Sequence, residues 1–180
     1  MRPGYQYPSL ETKRIIMKPL SQEDIQKVFD HFTDPDVTKY MDIEPCKNRA
    51  ESEEIIKFHQ EDLGCRWGMY LKKKNQFIGT CGYHCLGIGE KRKAEIGFDL
   101  SKHVWGQGLM KEAIQVLLQF GFETMELQFV EATVEQKNIR SYKLLERLSF
   151  ERADELQDNL LYYSLNKEVW KHLEEGSNSV

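Results

Sequence analysis

The chain has 180 residues, 40% hydrophobic and 30% charged, enough for one sizeable core and short for two. Its formal net charge of -4 argues against a general nucleic-acid binder, whose footprint would be basic, and suits a cationic substrate. No apolar run is long enough to span a bilayer, and MRPGYQYPSL lacks the apolar centre of a signal peptide. The expectation is a cytoplasmic protein with neither nucleic acid nor membrane as partner.

In chain order, TKRIIMKPL reads as a strand, and the tetrapeptide Ser21 to Asp24 opens a helix that runs to about Phe32. Tyr40 to Ala50 is irregular around Pro45, and AESEEIIKFHQEDL is helical through Ile55, Phe58 and Leu63. Three extended segments, RWGMYLKKK, QFIGTCGYHCLGI and KAEIGFDLS, are separated by polar turns and form an antiparallel meander. Then the period changes. In QGLMKEAIQVLLQFGF, Met110, Ala113, Ile114, Leu117 and Leu118 recur at helical spacing from the glycine pair to about Gly121. LQFVEATVE follows as a strand, NIRSYKLLERLSF as a helix, and LLYYSLNKEV as a closing strand. This order is α+β, with one domain over 11–173, an N-terminal extension over 1–10 and a loosely held tail over 174–180.

The cysteines, Cys46, Cys65, Cys81 and Cys85, have no zinc-ligand spacing, so no metal is expected. Cys81 and Cys85 lie four apart in one strand, on one face and too distant to bond. Alternation sends His84 to the opposite face, which leaves buried free thiols as the expectation.

HVWGQGLMKEA places Gly106 and Gly108 directly ahead of a helix. Free backbone NH groups at a helix start attract anions, and glycines let a phosphate approach, so the pair reads either as a diphosphate cradle or as turn punctuation. The dinucleotide fingerprint would need glycine where Lys111 stands, and a Walker ending GK[ST] occurs nowhere.

Together with that loop, ETKRIIMKPLSQEDI, AEIGFDL and VEATVEQKNIRSYKLLERLSF resemble, in order and spacing, the GNAT family of acetyl-CoA-dependent N-acetyltransferases. The branch they resemble is the RimJ/RimL type, which includes ribosomal-protein N-terminal acetyltransferases, and the resemblance spans about 11–172. It implies a mixed, mostly antiparallel sheet with flanking helices, splayed between its fourth and fifth strands, with the pantetheine arm in the splay. It implies that 102–111 wraps the pyrophosphate, from Gly106 to Lys111, through the NH groups of Gln107, Gly108, Leu109 and Met110. The strand carrying Phe98 and Leu100 would pair with the pantetheine amides. Trp105 and Met110 depart from the family's usual loop residues, and the Met110 side chain is long enough to crowd the phosphate.

Acetyl transfer needs a neutral amine, a route for its proton, and a partner for the departing thiolate. Alternation in AEIGFDL puts Glu95, Gly97 and Asp99 on one face, and some family members carry a catalytic Glu at the place of Glu95. Substrate cover would raise its pKa; the alternative is a solvated carboxylate on an open sheet face. Glu131 on the next strand competes for the role. The family's usual Tyr is Leu145 here, while Asn138 and Ser141 match a pair that the branch keeps, for pantetheine and sulfur respectively. A helix N-cap and a small packing residue are their alternative roles. Ser149 replaces the Gly before the final Phe, which questions a left-handed helix cap. Tyr40, Met41, Asp42 and Glu44 are the expected acceptor lining.

The resulting expectation is an N-acetyltransferase that moves acetyl from acetyl-CoA to a primary amine, with no metal. A CoA-binding regulatory module without transfer activity is the alternative, and a partner-binding domain without CoA is a third reading. A homodimer is left open.

Overall fold

The computed structural model describes residues 7–87, 89 and 91–177. Two-residue β1 (Leu10–Glu11) and β2 (Ile15–Pro19) lead to a short 3-10 turn at Gln22–Asp24 and α1 (Ile25–Phe32). The turn carries a capping box: Ser21 accepts from the Glu23 NH, and the Asp24 carboxylate accepts from the Ser21 NH. After α2 (Pro35–Thr38) and α3 (Arg49–Glu61), the meander forms as expected from β3 (Cys65–Leu71), β4 (Gln76–Gly87) and β5 (Lys93–Leu100). Next come α4 (Leu109–Gln119), a π-helical turn over Phe120–Thr124, β6 (Phe129–Val134), α5 (Ile139–Arg147), β7 (Glu151–Arg152), β8 (Leu161–Asn166) and α6 (Lys167–Ser177).

The eight strands form one sheet in the order β1-β2-β3-β4-β5-β6-β8-β7. Every pairing is antiparallel except β5 with β6, which touch in parallel over three residue pairs, Lys93 with Phe129, Ala94 with Val130 and Glu95 with Glu131. Beyond Glu95 the two strands part. This is the splay expected between the fourth and fifth strands when counting starts at β2.

The larger core lies between one sheet face and α4, whose Leu109, Met110, Ala113, Ile114, Leu117 and Leu118 are all buried. That spacing is the i, i+3, i+4 stripe by which a helix covers a sheet. A smaller cluster, with Val28, Phe32, Cys46 and Ile56, packs α1 and α3 on Leu20. Phe58 does not join it. It is 64% exposed, because Ser52 and Ile56 define the inward stripe of α3.

Two expectations about the ends need correction. The closing strand expected through LLYYSLNKEV stops at Asn166: β8 runs straight into α6, where the Asn166 side chain accepts from the Glu168 NH and Trp170 packs on Phe122 at 5.1 Å. At the other end Tyr7 is docked against Trp67, its hydroxyl donating to the Leu63 carbonyl at 2.6 Å, and Trp67 Nε1 donates to the Pro8 carbonyl. Residues 1–6 and 178–180 of the expected tails lie outside the described residues.

Candidate active site

The glycine loop turns left-handed at both of its glycines. Gly106 and Gly108 hold φ of +75° and +74°, a left-handed conformation that costs other residues about 1–2 kcal/mol. Gly108 caps α4, and the first hydrogen bond of the helix runs from the Glu112 NH to the Gly108 carbonyl. The preceding NH groups of the first turn are therefore available to a ligand.

Arg14, which sequence reading missed, braces this loop. Its Nη1 donates to the Gln107 carbonyl at 3.0 Å and its Nε to Glu112 at 2.7 Å. A second cation, Arg140 on the first turn of α5, stacks 4.1 Å from the Trp105 ring centroid, while Trp105 Nε1 donates to the Leu100 carbonyl. Arg140 adds positive charge beside the loop, while the charge of Arg14 is paired with Glu112. Met110 does not crowd the cradle: its side chain is buried in the core under α4, with Leu109. Gly106, Gln107, Gly108 and Lys111 are exposed.

The end of β5 is fixed by a buried network. Asp99, which alternation put beside Glu95 on the polar face, is enclosed rather than solvated: it accepts from Arg66 Nη2 at 2.6 Å, Thr80 Oγ1 at 2.5 Å and the Thr80 NH at 2.9 Å, and pairs with His31 Nε2 at 2.6 Å. His31 Nδ1 lies 3.0 Å from Ser101 Oγ. Burial pushes the Asp99 carboxyl up, but hydrogen bonding and charge from His31, with Arg66 and Thr80, hold it well below the usual carboxylate range. The network ties α1, β3 and β4 to the point where the chain leaves β5 for the glycine loop.

Glu95 is the last residue of β5 paired with β6, so it stands at the fork of the splay. Thr133, two residues past the last pair on β6, donates to Glu95 Oε1 at 2.5 Å across the opening. His84, its register partner on β4, places Nε2 3.7 Å from Oε2. The nearby His84 imidazole and the Thr133 hydroxyl outweigh burial and lower the Glu95 pKa. The upward shift was expected under substrate cover; in the free protein polar neighbours rather than apolar cover surround the carboxylate. Glu131, directly across the fork, is instead gripped by Lys93 Nζ through both oxygens at 3.0 and 3.1 Å.

Asn138 caps α5, its Oδ1 accepting from the Ser141 NH at 3.3 Å, so the N-cap role is present. Ser141 is half-buried on the next turn. Leu145, at the place of the family's usual Tyr, is fully buried in the core. Ser149 adopts φ +64°, so the left-handed cap forms without glycine.

The acetyltransferase (GNAT) domain family matches residues 14–151. The chain belongs to the GNAT acetyltransferases. It is 35% identical to the uncharacterized N-acetyltransferase p20 of Bacillus licheniformis, covering 83% of this chain and 86% of that protein. It is 24% identical to the [ribosomal protein uS5]-alanine N-acetyltransferase of Escherichia coli (strain K12), over 84% and 82% of the two chains. In fold it is similar to the ribosomal-protein-S5-alanine acetyltransferase of Vibrio fischeri, with TM-score 0.74, 18% identity and coverage of 91% and 99%. It also matches RimL, a ribosomal L7/L12 acetyltransferase solved with coenzyme A, with TM-score 0.77, 12% identity and coverage of 88% and 98%. The protein is thus an acetyltransferase of a family that uses acetyl-CoA.

Within this GNAT frame the expected acceptor residues divide. Met41 turns toward the α1–α3 cluster, Tyr40 is half-buried under the Lys39 ammonium, and Asp42 and Glu44 are exposed. The sheet face leading to Glu95 carries groups that sequence reading passed over. Arg66 and His84 meet over Gly97. His59 on α3 is held to a pKa of about 4 by burial, with Arg66 and then His84 adding to the effect. Beside them a cavity of about 140 Å³ is lined by Tyr7, His59, Gln60, Asp62 and Arg66 among others.

The cysteine expectation holds for three residues and fails for the fourth. Cys46, Cys65 and Cys81 are buried free thiols, and Cys85 is exposed. The β4–β5 register breaks between His84 and Gly87, and Cys85 takes φ +51°. That irregularity turns its thiol to the side of His84, against the alternation of a regular strand. No described helix is long and apolar enough to cross a membrane.

Proposed function

We propose that this acetyltransferase moves the acetyl group of acetyl-CoA to a primary amine by direct attack in a ternary complex, with Glu95 as the group that takes the amine's proton. The observation that carries the proposal is the position of Glu95 at the fork, where β5 and β6 separate and the family's pantetheine arm would enter. Glu95 is ionised in the free protein, and its lowered pKa makes it a weak base there; apolar cover from a bound substrate raises its basicity, so that it accepts the proton directly, through water or by way of the adjacent His84 imidazole.

The other roles follow from position. The first-turn NH groups of α4, with Gly106 and Gly108 giving access, hold the pyrophosphate, and Arg14 keeps the loop in shape. The free edge of β5 over Phe98 and Leu100 pairs with the pantetheine amides. The Asn138 side-chain NH2, left over from capping, turns to the pantetheine. The Ser141 hydroxyl donates to sulfur as charge develops there. The acceptor comes over the face of Arg66 and His84, with Tyr40, Met41, Asp42 and Glu44 at its outer edge. Glu131 serves as the partner of Lys93 rather than as the base.

One observation favours the alternative of a CoA-binding module without transfer: the buried Leu145 leaves the usual Tyr position without a hydroxyl. Incubation with labelled acetyl-CoA and a panel of amines, read by mass spectrometry, separates the readings. Peptides beginning with alanine head the panel because the E. coli relative is named for that residue; polyamines and amino sugars complete it. Transfer to any amine supports the enzyme. Thermal stabilisation by CoA with neither transfer nor hydrolysis would establish the module.

A further inference from the structure

We propose that His84, Cys85 and Glu95 form a binding site for a zinc-type divalent cation, and that its occupancy switches acetyl transfer off by taking the Glu95 carboxylate. The inhibitory part rests on the role proposed for Glu95; the binding part does not.

The site is made by the break in β4. On a regular strand His84 and Cys85 would point to opposite faces, but the left-handed Cys85 and the irregular register with β5 bring both to one place. One ligand atom from each of His84, Cys85 and Glu95 lies within 4.8 Å of the other two. Zn–N and Zn–O bonds of about 2.0–2.2 Å and Zn–S bonds of about 2.3 Å put tetrahedral ligands about 3.3–3.6 Å apart. The 3.7 Å from His84 Nε2 to Glu95 Oε2 lies just outside that spacing, and the thiol needs to close by at most about 1.5 Å.

A thiolate, an imidazole and a carboxylate form a borderline-soft set that suits zinc rather than magnesium or calcium. The other Glu95 oxygen is held by Thr133, an outer contact of the kind that orients metal-binding carboxylates. Cys85 is exposed, which provides a path of entry. Binding replaces the thiol proton, which leaves to solvent, and the ion takes lone pairs from the Glu95 carboxylate and one imidazole nitrogen. Three protein ligands leave a fourth position for water.

Cobalt(II) is the probe, added to the full-length protein in a phosphine-reduced buffer. One equivalent should produce a thiolate-to-cobalt absorption band and the visible bands of a tetrahedral ion, both lost when zinc is added. Because Cys46, Cys65 and Cys81 are buried, that band reports Cys85, and Cys85→Ser should abolish it. In parallel, zinc should inhibit acetyl transfer by the wild type, reversibly with a chelator. Cys85→Ser should acetylate at the wild-type rate in chelator and resist zinc. Absence of the band, or its survival in Cys85→Ser, would overturn the site. A band without inhibition would overturn the switch and leave the site standing. Failure of acetyl transfer altogether would not alter the cobalt result, so the two proposals fail separately.

Discussion

Substituting alanine at Gly108 tests whether the loop is a preformed cradle. The backbone there holds φ +74°, and the added Cβ would meet only Arg14 Nη2 at 3.7 Å, an ordinary contact. The penalty is therefore conformational, about 1–2 kcal/mol, and larger for a β-branched valine. It can surface in two ways. If the loop stays left-handed, the whole protein is destabilised by that amount, a fall of about 2–8 °C in melting temperature for a domain of this size, and CoA affinity is unchanged. If the free loop relaxes, stability is spared and CoA binding must restore the strained form, which weakens affinity by about 5- to 30-fold. Because Arg14 tethers the Gln107 carbonyl, most of the penalty should appear as lost stability in Gly108→Ala, moving into affinity when Arg14→Ala is added. Thermal melting and calorimetry with CoA read the two shares. A Gly108→Val protein with wild-type melting temperature and wild-type CoA affinity would refute the cradle.

Ser141→Ala should lower turnover by about ten- to a hundredfold with little change in acetyl-CoA affinity, because charge on sulfur develops only as the bond breaks. Turnover equal to wild type, where chemistry is rate-limiting, would make Ser141 a packing residue. Asp99→Asn should cost about 3–5 kcal/mol, since it leaves Arg66 buried without its counter-charge. The Asp99 carboxyl is held below its ordinary value, so its contribution is complete above about pH 4 and is lost as pH falls below that. Urea unfolding of wild type should therefore weaken more steeply below pH 4 than that of Asp99→Asn, and parallel curves would contradict the assignment.

Elements with a clean period were legible from the sequence. The stripe from Met110 to Leu118 specified α4, and AEIGFDL specified both a strand and the face on which Glu95 lies. Signals failed where one local feature overrides the period. Cys85 carries no glycine to announce a left-handed residue, so the break in β4, and with it the approach of the thiol to His84, could not be read. Asp99 looked like any polar-face residue of an open sheet, because its cover comes from His31 and Arg66, distant in sequence. No loop residue separates β8 from α6, so the helix-start signal that Asn166 carries, accepting from the Glu168 NH, was passed over at the end of an apolar strand. For Glu95 the sequence supplied the strand and the face, while the fork itself follows from where the β5–β6 ladder stops, which only tertiary structure determines.

The steady-state pH profile of Glu95→Gln, measured beside Glu131→Gln on the best amine of the panel, tests the central claim most directly. Glutamine keeps the size of the side chain and an acceptor for the Thr133 hydroxyl, so CoA affinity should hold. Turnover should fall by about 10²- to 10⁴-fold near neutral pH, the usual contribution of a positioned base, and recover in part as rising pH supplies neutral amine. Glu131→Gln, which loosens the contacts of Glu131 with Lys93 and the Tyr162 hydroxyl, should stay near wild type. Wild-type turnover in Glu95→Gln, with the loss appearing in Glu131→Gln instead, would contradict the account.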